Sequence, residues 1–164
     1  HEAKLGLVSR VEGLLKKGAD INGKAEFGET ALYYAIFFGR SNVALRLLEL
    51  GADPNIVESS DISPLMKAST LCNHRVMRQL LRHGAKVNQK DSTGRTALIN
   101  ATDADCLLGV ATIFSMRKDV DLDAMDESFQ TARDYAQNPW IKSLIENRRG
   151  ERPEAQSVPT VPLL

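Results

Sequence analysis

Gly51-Ala-Asp-Pro-Asn55 decides the architecture of this chain, because it is one of three. Gly18-Ala-Asp-Ile-Asn22 lies 33 residues before it and Gly84-Ala-Lys-Val-Asn88 lies 33 residues after it. The leucine pairs Leu14/Leu15, Leu47/Leu48 and Leu80/Leu81 keep the same interval. So do Thr30, Ser63 and Thr96, each followed two residues later by leucine. Several independent features on one period of this size define a stacked repeat architecture. Such stacks serve mainly as extended binding surfaces.

The copy from Ala25 to Val57 shows what each unit contains. Ala31-Leu-Tyr-Tyr-Ala-Ile-Phe-Phe38 is a short apolar run of helix-forming residues, and Gly39 stops it. Asn42 to Leu50 follows, with Val43, Leu47 and Leu48 at helical spacing. Gly51 can turn the chain at positive φ, and Asp53, Pro54 and Asn55 add turn chemistry. The unit therefore reads as helix, tight turn, helix and extended loop. Helix pairs are predicted over 31–39 with 42–50, 64–72 with 75–83, and 97–104 with 107–117. Helices this short are marginal alone, so each must bury its apolar stripe against the next copy.

Gly28-Glu-Thr-Ala-Leu-Tyr-Tyr-Ala35, Asp61-Ile-Ser-Pro-Leu-Met-Lys-Ala68 and Gly94-Arg-Thr-Ala-Leu-Ile-Asn-Ala101 resemble the first half of the ankyrin repeat. The leucine pairs and the Gly-Ala loops resemble its second half. The resemblance runs over about residues 3–147 and implies an all-α ankyrin-repeat solenoid of stacked helix-turn-helix units with hairpin loops. Its expected divisions are a partial repeat at 1–24, repeats at 25–57, 58–90 and 91–125, and a C-terminal capping repeat at 126–147. Residues 148–164 are rich in charge, proline, glutamine and serine without periodicity, and are expected to form a disordered tail.

Several positions depart from the pattern. The first copy enters inside its first helix, near Ala3-Lys4-Leu5-Gly6. Asp61 and Cys72 replace two turn glycines, which costs stability if those backbones need positive φ. Thr96 and Thr131 are 35 residues apart, so two extra residues are expected, at Asp103-Ala-Asp-Cys-Leu-Leu-Gly109. Arg117-Lys-Asp-Val-Asp121 replaces the usual Gly-Ala loop. Asn138-Pro139 fits a helix start, with proline in the first turn.

At 164 residues and 43% hydrophobic content, one domain of ordinary size is expected. No apolar run approaches the roughly 18–20 residues of a membrane span. With 21 basic and 21 acidic side chains the net charge is zero, which gives no electrostatic reason to expect nucleic acid. Cys72 and Cys106 are expected to be reduced thiols in helices of adjacent repeats, in keeping with a cytoplasmic or nuclear protein. Asp119-Val-Asp-Leu-Asp123 starts like a calcium loop, but Ala124 and Gln130 stand where that loop needs glycine and glutamate. His1, His74 and His83 have no partner at metal-ligand spacing. No phosphate loop, dinucleotide fingerprint or nucleophile elbow occurs. The expectation is no enzyme, no cofactor and no metal.

The resemblance implies binding on a concave face made of loop tips and first helices. In the second copy its variable slots hold Glu26, Phe27, Glu29, Phe37 and Phe38. In the third they hold Ser60, Ile62, Thr70 and Leu71, and in the fourth Thr93 and Arg95. Three aromatics in solvent-facing slots would form an exposed apolar patch, a mark of an interaction site. The competing reading places Phe37 or Phe38 in the core. The function expected is a monomeric protein–protein interaction module, an adaptor or scaffold, for a peptide or protein partner. The alternative is a regulatory or targeting segment of a larger enzyme or signalling protein. Pro159-Thr-Val-Pro162 before Leu163-Leu164 has the form of a polyproline II ligand, though such tracts are common in plain tails.

Overall fold

The computed structural model describes residues 2–150, and every regular element among them is a helix. A single helix α1 (Glu2–Lys16) is followed by four pairs. These are α2 (Ala31–Phe37) with α3 (Ser41–Glu49), and α4 (Pro64–Thr70) with α5 (His74–Arg82). Then come α6 (Ala97–Asp103) with α7 (Leu107–Met116), and α8 (Ala132–Tyr135) with α9 (Pro139–Arg149). The first helices stack in the order α2, α4, α6, α8, and the second helices in the order α1, α3, α5, α7, α9.

The period in the sequence is a period of caps and core positions. Thr30, Ser63 and Thr96 are the N-caps of α2, α4 and α6, and their hydroxyl oxygens accept from the backbone N–H three residues on at 3.2, 3.2 and 3.4 Å. Each satisfies one of the donors that a helix start leaves unpaired. Leu32, Leu65 and Leu98, two residues after each cap, are buried, as are Leu47, Leu48, Leu80 and Leu81 from the leucine pairs. All belong to one core that runs along the stack. Asn138 caps α9 through Trp140 N–H, with Pro139 in its first turn.

The turn slots take positive φ everywhere except between α8 and α9, where Ala136 (−73°) and Asn138 (−75°) keep negative φ. The slot before the first helix holds Gly28 (84°), Asp61 (60°), Gly94 (80°) and Phe129 (59°). The slot between paired helices holds Gly39 (66°), Cys72 (50°) and Asp105 (52°). Asp61 and Cys72 thus occupy strained backbone as expected, and Asp105 and Phe129 join them. Phe129 is the most costly occupant, a bulky side chain in the left-handed region and 83% exposed. Phe129→Gly should raise stability by about 1 kcal/mol, the left-handed penalty less glycine's extra chain entropy, as read by urea denaturation. No change or a loss would mean that the ring makes a compensating contact.

Four sequence expectations are corrected. First, α1 runs without a break through Gly6, where the repeat pattern places an inter-helix turn.

Second, the two extra residues do not lie at 103–109. Cys72 and Asp105 occupy the same turn slot, and α5 and α7 begin 33 residues apart at His74 and Leu107. An asparagine ladder locates the insertion. Asn22 Oδ1 accepts from Asp53 N–H at 2.9 Å and Asn55 Oδ1 from Lys86 N–H at 2.8 Å, each 31 residues on. Asn88 Oδ1 accepts from Asp121 N–H at 2.9 Å, 33 residues on. The shift therefore falls between Met116 and Asp121, where Arg117 leaves α7 extended (φ −130°, ψ 132°) and pairs with Asp119 at 2.6 Å. Amide exchange should consequently be fastest at 117–121, with α7 nearly as protected as residues 42–57. Uniform protection across 107–121 would contradict this placement.

Third, Cys72 and Cys106 are not free thiols in helices. They form a disulfide between the inter-helix turns of neighbouring repeats, with Cα atoms 5.4 Å apart. Two turns at the same height of a stack bring their side chains within bridging reach. Two bridged cysteines give no reason to place the protein in a reducing compartment.

Fourth, α9 continues to Arg149 and ends on a left-handed Gly150, so residues 148 and 149 are helical. Arg148 stacks over Phe114 at 5.6 Å and donates to the Arg117 carbonyl at 2.6 Å, while Arg149 pairs with Asp123. The remainder of the expected tail, with Pro159 to Leu164, lies outside the described residues.

Candidate binding face

The loop tips and first helices of the second to fifth copies share one side of the stack. Backbone bonds tie the tips together: Ser59 N–H to the Phe27 carbonyl (2.7 Å), Ser92 N–H to the Ser60 carbonyl (3.0 Å) and Glu127 N–H to the Thr93 carbonyl (2.9 Å). Within three of the loops a carboxylate folds the tip. Asp91 Oδ1 accepts from Thr93 and Arg95 N–H, Asp126 Oδ1 from Ser128 and Gln130 N–H, and Glu58 Oε1 from Ser60 and Ile62 N–H. The second copy has Ala25 in that slot, and Glu29 Oε2 takes over by accepting from Phe27 N–H at 3.1 Å. These are the turns that Asp and its neighbours in type form with their own backbone. They leave the side chains at 26–27, 59–60 and 92–93 exposed at the rim.

Of the three aromatics, Phe37 ends α2, Phe38 is its C-cap and Phe27 lies in the loop before it. Phe27 is 59% exposed, Phe37 49% and Phe38 63%. Both α2 rings face solvent, which removes the core reading for them. They are held by each other and by the turn of helix beneath. Phe37 and Phe38 meet edge-to-face at 5.0 Å, Tyr34 stacks on Phe38 at 6.1 Å, and Tyr33 on Phe37 at 6.5 Å. Such geometry stabilises the ring cluster beyond area burial and presents it as a stiff platform. Lys67 of α4 reaches back over Phe37 (5.1 Å) and Tyr33 (5.7 Å), so its ammonium lies against two ring faces. Burial, with the charges of Glu58 and Glu29, pushes the Tyr33 hydroxyl up to about 12.

The remaining slots differ in character. Ser60, Thr70, Leu71 and Thr93 are exposed, with Thr70 Oγ1 donating to the Met66 carbonyl and Thr93 Oγ1 to Asp91. Ile62 is half-buried and packs on the core, so it offers little surface. Arg95 is half-buried between a 2.5 Å ion pair with Asp103 and the Tyr135 ring at 5.0 Å, and Tyr135 in turn donates to Asp126 at 2.6 Å. That bond, with the Gln130 and Ser128 N–H groups, holds the Asp126 carboxyl below its ordinary range. Glu26 is exposed beside Phe27, and Glu29 is half-buried.

Sequence reading missed one slot that recurs along the stack. Tyr34, Lys67, Asn100 and Tyr135 occupy the same position in successive first helices, the fourth residue of each. The aromatic and cationic contacts of the face run through it. It was legible in principle, since Tyr34 stands four residues before Phe38 on the same helical face.

The acidic run after Asp119 is divided among separate partners: Asp119 pairs with Arg117, Asp123 with Arg149, and Asp126 accepts from Tyr135. Among the described residues no group of three or more acidic, histidine or cysteine side chains is placed to hold a metal ion, and no helix is long and apolar enough to cross a membrane.

The sequence profile for ankyrin repeats in many copies matches residues 14–68, and that for a single ankyrin repeat matches residues 60–92. The chain belongs to the ankyrin-repeat family. An ankyrin repeat protein of Fowlpox virus (strain NVSL) is 32% identical over 82% of the chain. Inversin of Canis lupus familiaris is 32% identical over 74%, and the neurogenic locus Notch protein of Drosophila melanogaster is 37% identical over 56%. The chain spans 19%, 12% and 3% of the lengths of these three ankyrin-repeat relatives. Ankyrin repeats are in general protein–protein interaction modules and typically non-catalytic.

Proposed function

We propose that this ankyrin stack is an adaptor or scaffold that holds a peptide or protein partner against its first helices and loop tips. The observation that carries the reading is the solvent-facing pair Phe37 and Phe38, stacked on Tyr33 and Tyr34, with Phe27 exposed on the loop before α2. Aromatic side chains fixed on a stiff backbone lose little entropy on binding, and they are the residue type in which interface energy concentrates. Glu26, Glu29, Ser60, Thr70, Leu71, Thr93 and Arg95 supply the polar and apolar surround, and Ile62 supports it from beneath. Tyr34 and Lys67 join the anchor group, because they touch its rings.

Selection of displayed peptides on the folded chain should yield ligands, and Phe37→Ala with Phe38→Ala should weaken them more than about 30-fold, the loss of over ~2 kcal/mol typical of central anchors. Thermal stability should stay nearly unchanged, since both rings are exposed. Ligands that survive in the folded double variant would place the site elsewhere. A second reading, that the stack regulates or targets chemistry carried by a longer protein, is favoured by relatives of which it spans 19% or less.

A further inference from the structure

The two sulfurs of the Cys72–Cys106 bridge stand in unlike surroundings. Cys72 is exposed, in the turn between α4 and α5. Cys106 is 1% exposed and is the N-cap of the ten-residue α7. Its sulfur accepts from the Gly109 N–H at 3.3 Å. Gly109 is also what makes room for it. A Cβ at position 109 would lie 2.8 Å from the Cys106 sulfur and 3.3 Å from the Met77 sulfur. One half of the bridge is therefore open to solvent, and the other is seated in a fitted pocket with a hydrogen-bond donor.

We propose that this disulfide is a thiol-exchange site, at which a small thiol adds to Cys72 and releases Cys106. Exchange needs a thiolate to reach one sulfur in line with the S–S bond, and access selects which sulfur is attacked. Attack at Cys72 forms a bond between the incoming sulfur and the Cys72 sulfur. The Cys72–Cys106 bond breaks, and its electron pair leaves on Cys106. The departing thiolate already holds the Gly109 N–H and sits at a helix N-terminus, which favours its negative charge. It then takes a proton from water. With a dithiol, the second thiolate attacks the reagent sulfur of the mixed disulfide and frees Cys72. The dithiol leaves as its own disulfide, so two electrons pass to the protein. The bridge ties the turn after α4 to the turn after α6, and the C-cap that opens the first of these turns, Leu71, belongs to the candidate binding face. Exchange would therefore free two neighbouring repeats from a covalent tie next to that face. The inference does not depend on what binds there.

The test uses the full chain and glutathione. The air-oxidised protein is treated with excess reduced glutathione, quenched in acid, alkylated with N-ethylmaleimide and digested with trypsin. Cys72 then lies in the segment 68–75 and Cys106 in 96–117. The expected product carries glutathione on 68–75 and maleimide on 96–117, in excess over the reverse product by about tenfold or more, given the difference in access. Equal labelling, or glutathione mainly on 96–117, would overturn the assignment. Maleimide on both segments before any glutathione is added would overturn it as well, since there would be no bridge to exchange.

Discussion

Leu48→Ala should lower the free energy of unfolding by about 2–5 kcal/mol, the range for truncating a fully buried leucine. Leu48 sits on α3, the second helix of its pair, which packs on α1 before it and α5 after it. It is part of the continuous core, with no solvent to fill the space that a shorter side chain leaves. In a stack held by nearest-neighbour contacts, a cavity at one interface weakens both units that share it. The loss is best read as a drop in urea midpoint at unchanged m-value. Leu71→Ala is the matched control, an exposed leucine on the same stack whose removal should cost well under 1 kcal/mol. Equal small effects at both positions would mean that the stacking register is wrong.

The second large effect is reduction of the Cys72–Cys106 bridge. The bridge spans 34 residues of sequence. Closing a loop of that length in the unfolded chain should stabilise the folded state by about 3–4 kcal/mol on the chain-entropy account. Chemical denaturation with and without a dithiol reductant should show that difference, with the folded helix content unchanged in both. A gap below about 0.5 kcal/mol would show that the unfolded chain already keeps these turns close, or that no bridge forms. Cys106→Ser is a useful companion, because serine preserves the N-cap of α7 while removing the bridge.

What could be read in the sequence was whatever repeats on the period. Thr30, Ser63 and Thr96 and the leucine pairs shared one spacing, and helices and core followed from it, while the capping role of the first three appears only in the structure. The insertion did not follow, because a 35-residue interval counts residues without placing them. Its position between Met116 and Asp121 appears only when the 33-residue spacing of α5 and α7 is set beside the hydrogen bond from Asp121 to Asn88. The disulfide was missed for a related reason. Cys72 and Cys106 are 34 apart, one period plus one, so they sit on facing edges of adjacent turns. Treating them as helical residues hid that proximity. On the candidate face, Phe37 and Phe38 were legible as bulky rings in exposed slots. Lys67 was not, because its contact with those rings crosses from one repeat to the next.

The asparagine ladder has a consequence for how such a chain can change length. Asn22, Asn55 and Asn88 each hold a backbone amide of the following loop by where it lies in space, whatever its count along the chain. In the fourth copy two residues entered upstream of the held amide, and the loop beyond it resumes its ordinary course: Asp126 folds its tip just as Asp91 does. The ladder works as a reset. Length variation on the helix side of each asparagine contact is absorbed locally, and the rim that would meet a partner keeps its spacing from one repeat to the next.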